Sequence, residues 1–417
     1  MTVPRTIALA LLGLALGTLG CADLWRGRGG VHELAKMSDA DGNAVYLFAD
    51  IDPESVLVVP PPEKLRPCCA FGSGLGVSIG EIPLRGFSLD NVVSLDDLGR
   101  HNYDNGILSV GGSEGAVVSD ETNGLLYTCH GGFIDTAHLR DYADWMMFFT
   151  TWVARHLETG GEIALSSEGG VRRVVLEPVP ERVRRSHQVR GLALGLAEHV
   201  TFRLSIWHEI ATWYGWSAIR LFPERASAFS PEDLYSNLLG VKIVRSMVEV
   251  GATGSEEQYN KNLDRWMREV LKRLGALDAE SSIALARALD GSWWDSTKRL
   301  PDPSLVRRRY MEIGPEIRPW HAWESGSPEA VALVEELCPN ARNPYVMGNP
   351  ERLGATELSS LIRLEMEIDP ELVGFPLPRP PSRIVTHDDF PAIVEQIRQA
   401  AYEEFGPDAD RPEAAVR

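Results

Sequence analysis

Between Gly191 and Ile219 only Glu198, Arg203 and Glu209 are charged, and apolar residues surround most of the helix this stretch would form. A helix that is apolar nearly all round has to be enclosed, so the chain must build a core around a rod spanning about 188–217. The polar residues of that rod, Glu198, Thr201, Ser205, His208, Glu209 and Thr212, gather on one side. Short hydroxyl side chains there, rather than long flexible ones, point to an interior polar seam. A second long helix is expected over about 133–157. At 100° per residue its buried stripe carries Ile134, His138, Asp141, Trp145, Phe148 and Trp152, with Asp135 and Asp144 on the flanks. Desolvating an ionisable group costs several kcal/mol unless it is paired, on the order of what one mutation can supply or remove.

Two buried helices bearing imidazoles and carboxylates can meet, and helical bundles build metal and acid–base sites in this way. The expected site is His138, Asp141, His208 and Glu209. These residues would hold a divalent metal, or run general acid–base hydrolysis with Glu209 or a histidine as base. The alternative is a satisfied buried network that only fixes helix packing. His208-Glu209 is not a zincin motif, because position 212, where the second histidine would stand, is Thr.

Cys129 has two readings. Just ahead of a helix N-terminus a thiolate is favoured, with His130 or His138 as base. In an oxidising compartment Cys129 would instead join a disulfide, most naturally with Cys68 or Cys69, since vicinal cysteines bond each other only with strain. Cys338 is the fourth cysteine after Cys21, and no CxxC pair suggests a zinc ribbon.

The fold class expected is α+β and predominantly helical, with a small β-containing N-terminal region and one hairpin. Short β-like runs lie at 75–82, 91–95, 107–110, 115–118 and 125–129, separated by Gly, Asp and Asn turns. Runs 162–165 and 171–176 flank a Ser-Glu-Gly-Gly turn. Helix starts are signalled at Ser230, at the Ser255–Gln258 capping box, and at Asp278, Ser327 and Thr386. The division is a signal peptide over 1–20, a lipidated N-terminus and tether over 21–66, one globular domain over 67–405, and a disordered tail over 406–417. Asp39-Ala-Asp41-Gly-Asn43 departs from a calcium loop and reads as a turn, and Gly72-Ser-Gly74-Leu-Gly76 is followed by strand-like residues rather than a helix. Trp293, Trp294, Trp320 and Trp323 read as core before they read as sugar platforms.

The N-terminus supplies the compartment. One basic residue, Arg5, precedes an apolar run from Ile7 to Leu19, too short to span a bilayer and followed by small residues. Thr18-Leu19-Gly20-Cys21 resembles a lipobox, with Thr18 standing where the pattern prefers Leu, Val or Ile. Lipid on Cys21 would anchor the chain to an envelope membrane, and Ala22 favours the outer one; a secreted or tethered protein is the alternative. The formal net charge of −18 repels phosphates and argues against nucleic acid as a partner.

Arg66-Pro67-Cys68-Cys69-Ala70-Phe71-Gly72, Gly124–Asp135 with His138-Leu139-Arg140-Asp141, His208–Gly215 and Phe229–Gly240 resemble an uncharacterised bacterial family of lipoproteins catalogued only as a domain of unknown function. The resemblance covers roughly 65–370 and implies an envelope protein with one continuous domain, and no activity. The expectation is therefore an envelope lipoprotein with a buried His/carboxylate site, hydrolysing an envelope component with or without a divalent metal. The other reading is a non-catalytic envelope protein that binds glycan, lipid or another protein.

Overall fold

Asp135 turns its carboxylate onto the free amide N–H groups of Ala137 and His138, at 2.7 and 3.2 Å, and so starts the most completely enclosed helix of the fold, α1 (Thr136–His156). The computed structural model describes residues 57–66, 70–80, 82–106, 108–109, 121–187, 189–218, 223–339, 342–372 and 374–412. Residues 1–56, with the signal segment, Cys21 and the Asp39–Asn43 turn, lie outside them, as do Cys68, Cys69 and the run at 115–118.

The remaining helices follow in chain order: α2 (Glu181–Ser186), α3 (Val189–Trp213), α4 (Asp233–Glu249), α5 (Glu256–Arg273), α6 (Ala279–Ala288), α7 (Pro328–Leu337) and α8 (Phe390–Phe405). Ser255, Asp278 and Ser327 each accept an amide N–H of the first turn and cap α5, α6 and α7 as their sequence signals require. Thr386 caps one 3₁₀ turn that runs directly into α8. Ser230 does not cap α4; it donates its backbone N–H to Asp233 at 2.9 Å and its hydroxyl to Glu232, and the helix begins three residues later.

The fold is mixed α and β with helices dominant, and the sheets are small. Strands 125–128 and 132–135 form a hairpin that feeds α1, where the helical stripe alone would have started the helix at 133. Gly132 makes that turn at φ +65°, with the Trp320 carbonyl filling the space a Cβ would need. The expected hairpin at 162–176 pairs antiparallel and joins strands 362–368 and 384–386 in a four-stranded sheet.

α1 lies against both α3 and α4. The approach of α4 is so close that a Cβ on Gly240 would stand 2.0 Å from the Leu139 carbonyl oxygen. One continuous apolar cluster runs from Val59 to Ala409. Both expected domain edges therefore move outward. Val59 and Arg66 are buried against the domain rather than belonging to a tether, and residues 406–412 turn back on it, where Arg309 donates its amide N–H to the Ala409 carbonyl at 2.6 Å. Among the described residues no helix is long and apolar enough to cross a membrane.

Candidate functional site

The N-cap of α1, Asp135, the third residue after it, His138, and a hydrophilic turn near the C-terminus of α3 fix the centre. His138 points from α1 toward α3 and α4. Its Nε2 stands 3.4 Å from Asp233 Oδ1, and its ring lies edge-on to that of His208 with centroids 5.6 Å apart. Ligand atoms of His138, His208 and Glu209 all lie within 4.8 Å of one another, and so do those of Asp135, His138 and Asp233. His138 belongs to both groups.

His208 hydrogen-bonds through Nδ1 to Glu168, which is also paired with Arg172. A carboxylate behind one ring nitrogen fixes the tautomer and leaves Nε2 for another partner, as at metal-bound histidines. Glu168 sits in the turn of the 161–176 hairpin. Gly169 at φ +65° and the closely packed Gly170 let that turn fold inward, and a Cβ on Gly170 would be 2.2 Å from the Glu367 carbonyl oxygen.

Glu209 accepts the Phe229 amide N–H through Oε2 at 2.7 Å. Phe229, fully buried, is held at φ +55°, and the carbonyls of Ala226 and Ala228 beside it are gripped by the buried Arg309 at 2.9 and 2.7 Å. A non-glycine residue in that region is strained unless its surroundings over-determine it. The other oxygen of Glu209, Oε1, and Asp233 Oδ1 are buried and accept no hydrogen bond from an N–H or hydroxyl group. The two carboxyl groups are near enough for a shared proton to link them.

Asp135, Glu168, Glu209, Glu232 and Asp233 put five buried carboxyl groups around two imidazoles. Burial first, and then the neighbouring acids, push Glu232 and Asp233 well above the ordinary carboxyl range; burial likewise raises Glu209. Burial, with the charge of His208 beside it, lowers the His138 imidazole to about 4. For His208 burial acts in the same direction, but the Glu168 carboxylate outweighs it and raises the ring to about 9. An excess of acids over bases, two of them with orphaned oxygens, is the environment a divalent cation would satisfy.

His208 also borders the surface. Its side chain shares a cleft with Tyr142, Trp145, Glu168 and Trp216, and residues 62–65 run across the mouth. The cavity there is about 10 Å³, room for roughly one water or ion.

The four expected residues do not all converge. Asp141 leaves the group: it accepts from Arg66 at 2.8 Å, in a separate buried network with Asp144 (3.0 Å from Arg66), Glu121 (2.6 Å) and His101. Three residues along a helix are 300° of rotation, so Asp141 stands about 60° round from His138, enough to face residues 57–66 instead of α4. Three acids around one guanidinium exceed its charge, and burial pushes Asp141 up to about 7 against the pull of Arg66. The expected seam on α3 divides too. Thr201 and Ser205 donate to backbone carbonyls of their own helix, and Glu198 pairs with Lys242 and Arg245 of α4.

Cys129 is bonded to Cys338, with Cα atoms 5.4 Å apart. That takes the disulfide reading over the nucleophile, and with a different partner from the expected Cys68 or Cys69. The chain turn at 129–130 is tied to α5 through the Gly275 and Leu274 carbonyls, and α7 delivers Cys338 to it. The residues that sequence reasoning missed are Glu168 and Asp233. One sits in a turn that reads as solvated and the other in a first helical turn, where an acid is already explained by the helix dipole.

A family model described as "Protein of unknown function (DUF4056)" matches residues 56–322, which include every residue of this centre. Comparison with curated proteins and with solved structures finds no match.

Proposed function

The chain belongs to this family of unknown function, and we propose that it acts through a divalent cation held between α1, α3 and α4. His138 and His208 through ring nitrogens, with Glu209 and Asp233 through their orphaned oxygens, are the ligands. The observation that carries the reading is that pair of buried carboxylate oxygens, which take no hydrogen bond from an N–H or hydroxyl group, Glu209 standing beside both imidazoles and Asp233 beside His138, inside an excess of acid. Glu168 and Phe229 act behind the ligands, orienting His208 and Glu209.

The activity proposed is hydrolysis of an envelope component. A bound divalent cation supplies a Lewis acid and a water acidic enough to attack near neutral pH. With the cation bound, the water would be reached from the His208 side, where the cleft opens, and the Glu209 and Asp233 carboxyls would be the groups near enough to take its proton. A substrate reaches the centre only when residues 62–65 move aside, because the mouth holds a single water. That narrowness favours a second reading in which the cation only locks three helices together and the protein is a non-catalytic envelope component. Lipid on Cys21 is proposed as the anchor, with the folded part facing the periplasm.

Equilibrium dialysis of chelator-treated Cys21→Ser protein against zinc or manganese tests the centre. The expected uptake is about one equivalent, lost in His138→Ala and His208→Ala variants that retain a cooperative melt. A folded Cys21→Ser protein that takes up neither metal overturns the proposal.

A further inference from the structure

A second cavity, of about 280 Å³, opens between α3, the turn that precedes α8 and the 351–357 hairpin. Small-molecule sites start near that size, roughly 300 Å³. It lies away from the cation centre on the same helix: His199 is nine residues before His208, about 13 Å along α3 and half a turn round it.

Its floor carries polar groups that the fold leaves incomplete. His199 is 2% exposed, and neither ring nitrogen makes a well-formed hydrogen bond, the Pro350 backbone being the one group near enough to favour its protonation. The His387 ring stands edge-on to it with centroids 5.3 Å apart. Its Nδ1 accepts the Leu364 amide N–H at 3.1 Å, so the neutral ring carries its proton on Nε2. That Nε2 is buried without a hydrogen bond. The same cavity is lined by Arg203, buried, with Asn349 at 3.1 Å as its side-chain acceptor.

The charges facing this floor come from every wall. Arg203's nearest carboxylate, Glu351, is 3.7 Å away and its side chain is 61% exposed. On the same hairpin Glu357 is already paired with Arg352 at 2.6 Å. From the turn before α8, Asp388 approaches His387 Nε2 at 3.6 Å with a largely solvated side chain. Carboxylates at such a rim are screened by water, whereas the guanidinium below them is not. The buried Glu198 also acts on Arg203 but already carries Lys242 and Arg245, so the remaining compensation is solvated. A buried cation so placed costs several kcal/mol, and an anion on it would restore the balance. Burial and the Arg203 charge lower His199 to about 2, and burial, with Arg203 contributing, lowers His387 to about 4, so both are neutral N–H donors at pH 7.

The geometry points to a second binding site, taking the oxyanion head of a small molecule on Arg203, with the N–H groups of His199 and His387 as additional donors. The acidic rim selects against a ligand whose remainder is also anionic, and Ile206 and Phe390 offer that remainder an apolar wall. The head is a carboxylate or a phosphoryl or sulfuryl group, which share this chemistry.

The test is titration of Cys21→Ser protein with sodium sulfate and, separately, sodium acetate, read by the imidazole ¹⁵N resonances. Saturable shifts at His199 and His387, with a dissociation constant of about 1 mM or tighter for at least one ion, are expected. The ion that binds more tightly identifies the head group. Arg203→Gln should weaken that ion about tenfold or more, and Arg203→Lys less. Absence of saturable shifts with both ions in the unsubstituted protein overturns the inference, whether or not the variants fold. So does binding of unchanged strength in a folded Arg203→Gln protein. Cation uptake at the first centre is read separately, so either proposal can fail alone.

Discussion

His138 and His208 are both buried and touch edge to edge, yet their protons are held in opposite ways. Burial outweighs the carboxylates near His138, and its ring is neutral at pH 7. His208 has Glu168 against Nδ1 and keeps its proton up to about pH 9. A ligand nitrogen must be deprotonated, so at pH 7 cation binding has to expel a proton from His208. Affinity for zinc is therefore expected to rise at least tenfold per pH unit between pH 6.5 and 9, more steeply where the Glu209–Asp233 pair also gives up a proton, with proton release seen as a buffer-dependent heat in calorimetry. A pH-independent affinity over that range would contradict His208 as ligand. The linkage for the cation-free protein has the matching sign. The folded His208 value lies above its ordinary 6.5, so the stability it contributes is complete below pH 6.5 and is lost as pH rises through 9. At this scale the sequence announces His138, His208 and Glu209, because each interrupts an apolar helical face. It does not announce Asp233 or Glu168, whose positions have ordinary local explanations. It misplaces Asp141, because a stripe drawn at 100° per residue cannot say which of two neighbouring elements a residue 60° away will meet.

The centre exists because α1 and α4 cross at almost no distance. Gly240 is where they cross, about two helical turns beyond Asp233, and the Leu139 carbonyl occupies the position of its missing side chain. Gly240→Ala must push the helices apart, and overpacking of this kind costs about 1–3 kcal/mol. The account expects that loss in urea or thermal unfolding, together with weaker cation uptake, since Asp233 moves away from His138. A variant that loses stability but binds the cation unchanged would show that α4 supplies no ligand. Helix identities, their caps at Ser255, Asp278 and Ser327, and the 161–176 hairpin are legible in the sequence, because each depends on contacts within a few residues. The start of α1 is not: Gly132 and Asp135 convert what an apolar pattern would continue as helix into a hairpin followed by a cap. Nor is the four-stranded sheet, whose central partner strand lies nearly two hundred residues downstream in the chain.

Across the whole molecule, the Cys129–Cys338 disulfide bridges 209 residues and links the family-matched region to α7 beyond it. A cross-link closing so long a loop contributes about 2–5 kcal/mol by restricting the unfolded chain. Four cysteines allow three full pairings, and nothing local chooses between them; the choice is made by α7 docking beside the turn at 129. Such bonds persist in oxidising compartments, in keeping with the envelope reading of the N-terminus. For that reading, cells expressing the full chain and fed labelled fatty acid should yield a labelled membrane-bound protein, and Cys21→Ser should be unlabelled and released with soluble envelope proteins. Label retained in Cys21→Ser would refute the anchor. The predominantly helical α+β class was readable from periodicity, whereas both edges of the folded region were not, since Val59 and Ala409 earn their burial only from distant partners. The central claim, that two imidazoles and two carboxylates from three helices share one cation, is most directly tested by X-ray absorption on the zinc-loaded protein. The account predicts nitrogen and oxygen neighbours at about 2.0–2.2 Å with the multiple-scattering signature of two imidazole rings, reduced to one ring in His138→Ala. A spectrum without imidazole scattering, or one that His138→Ala leaves unchanged, would contradict it.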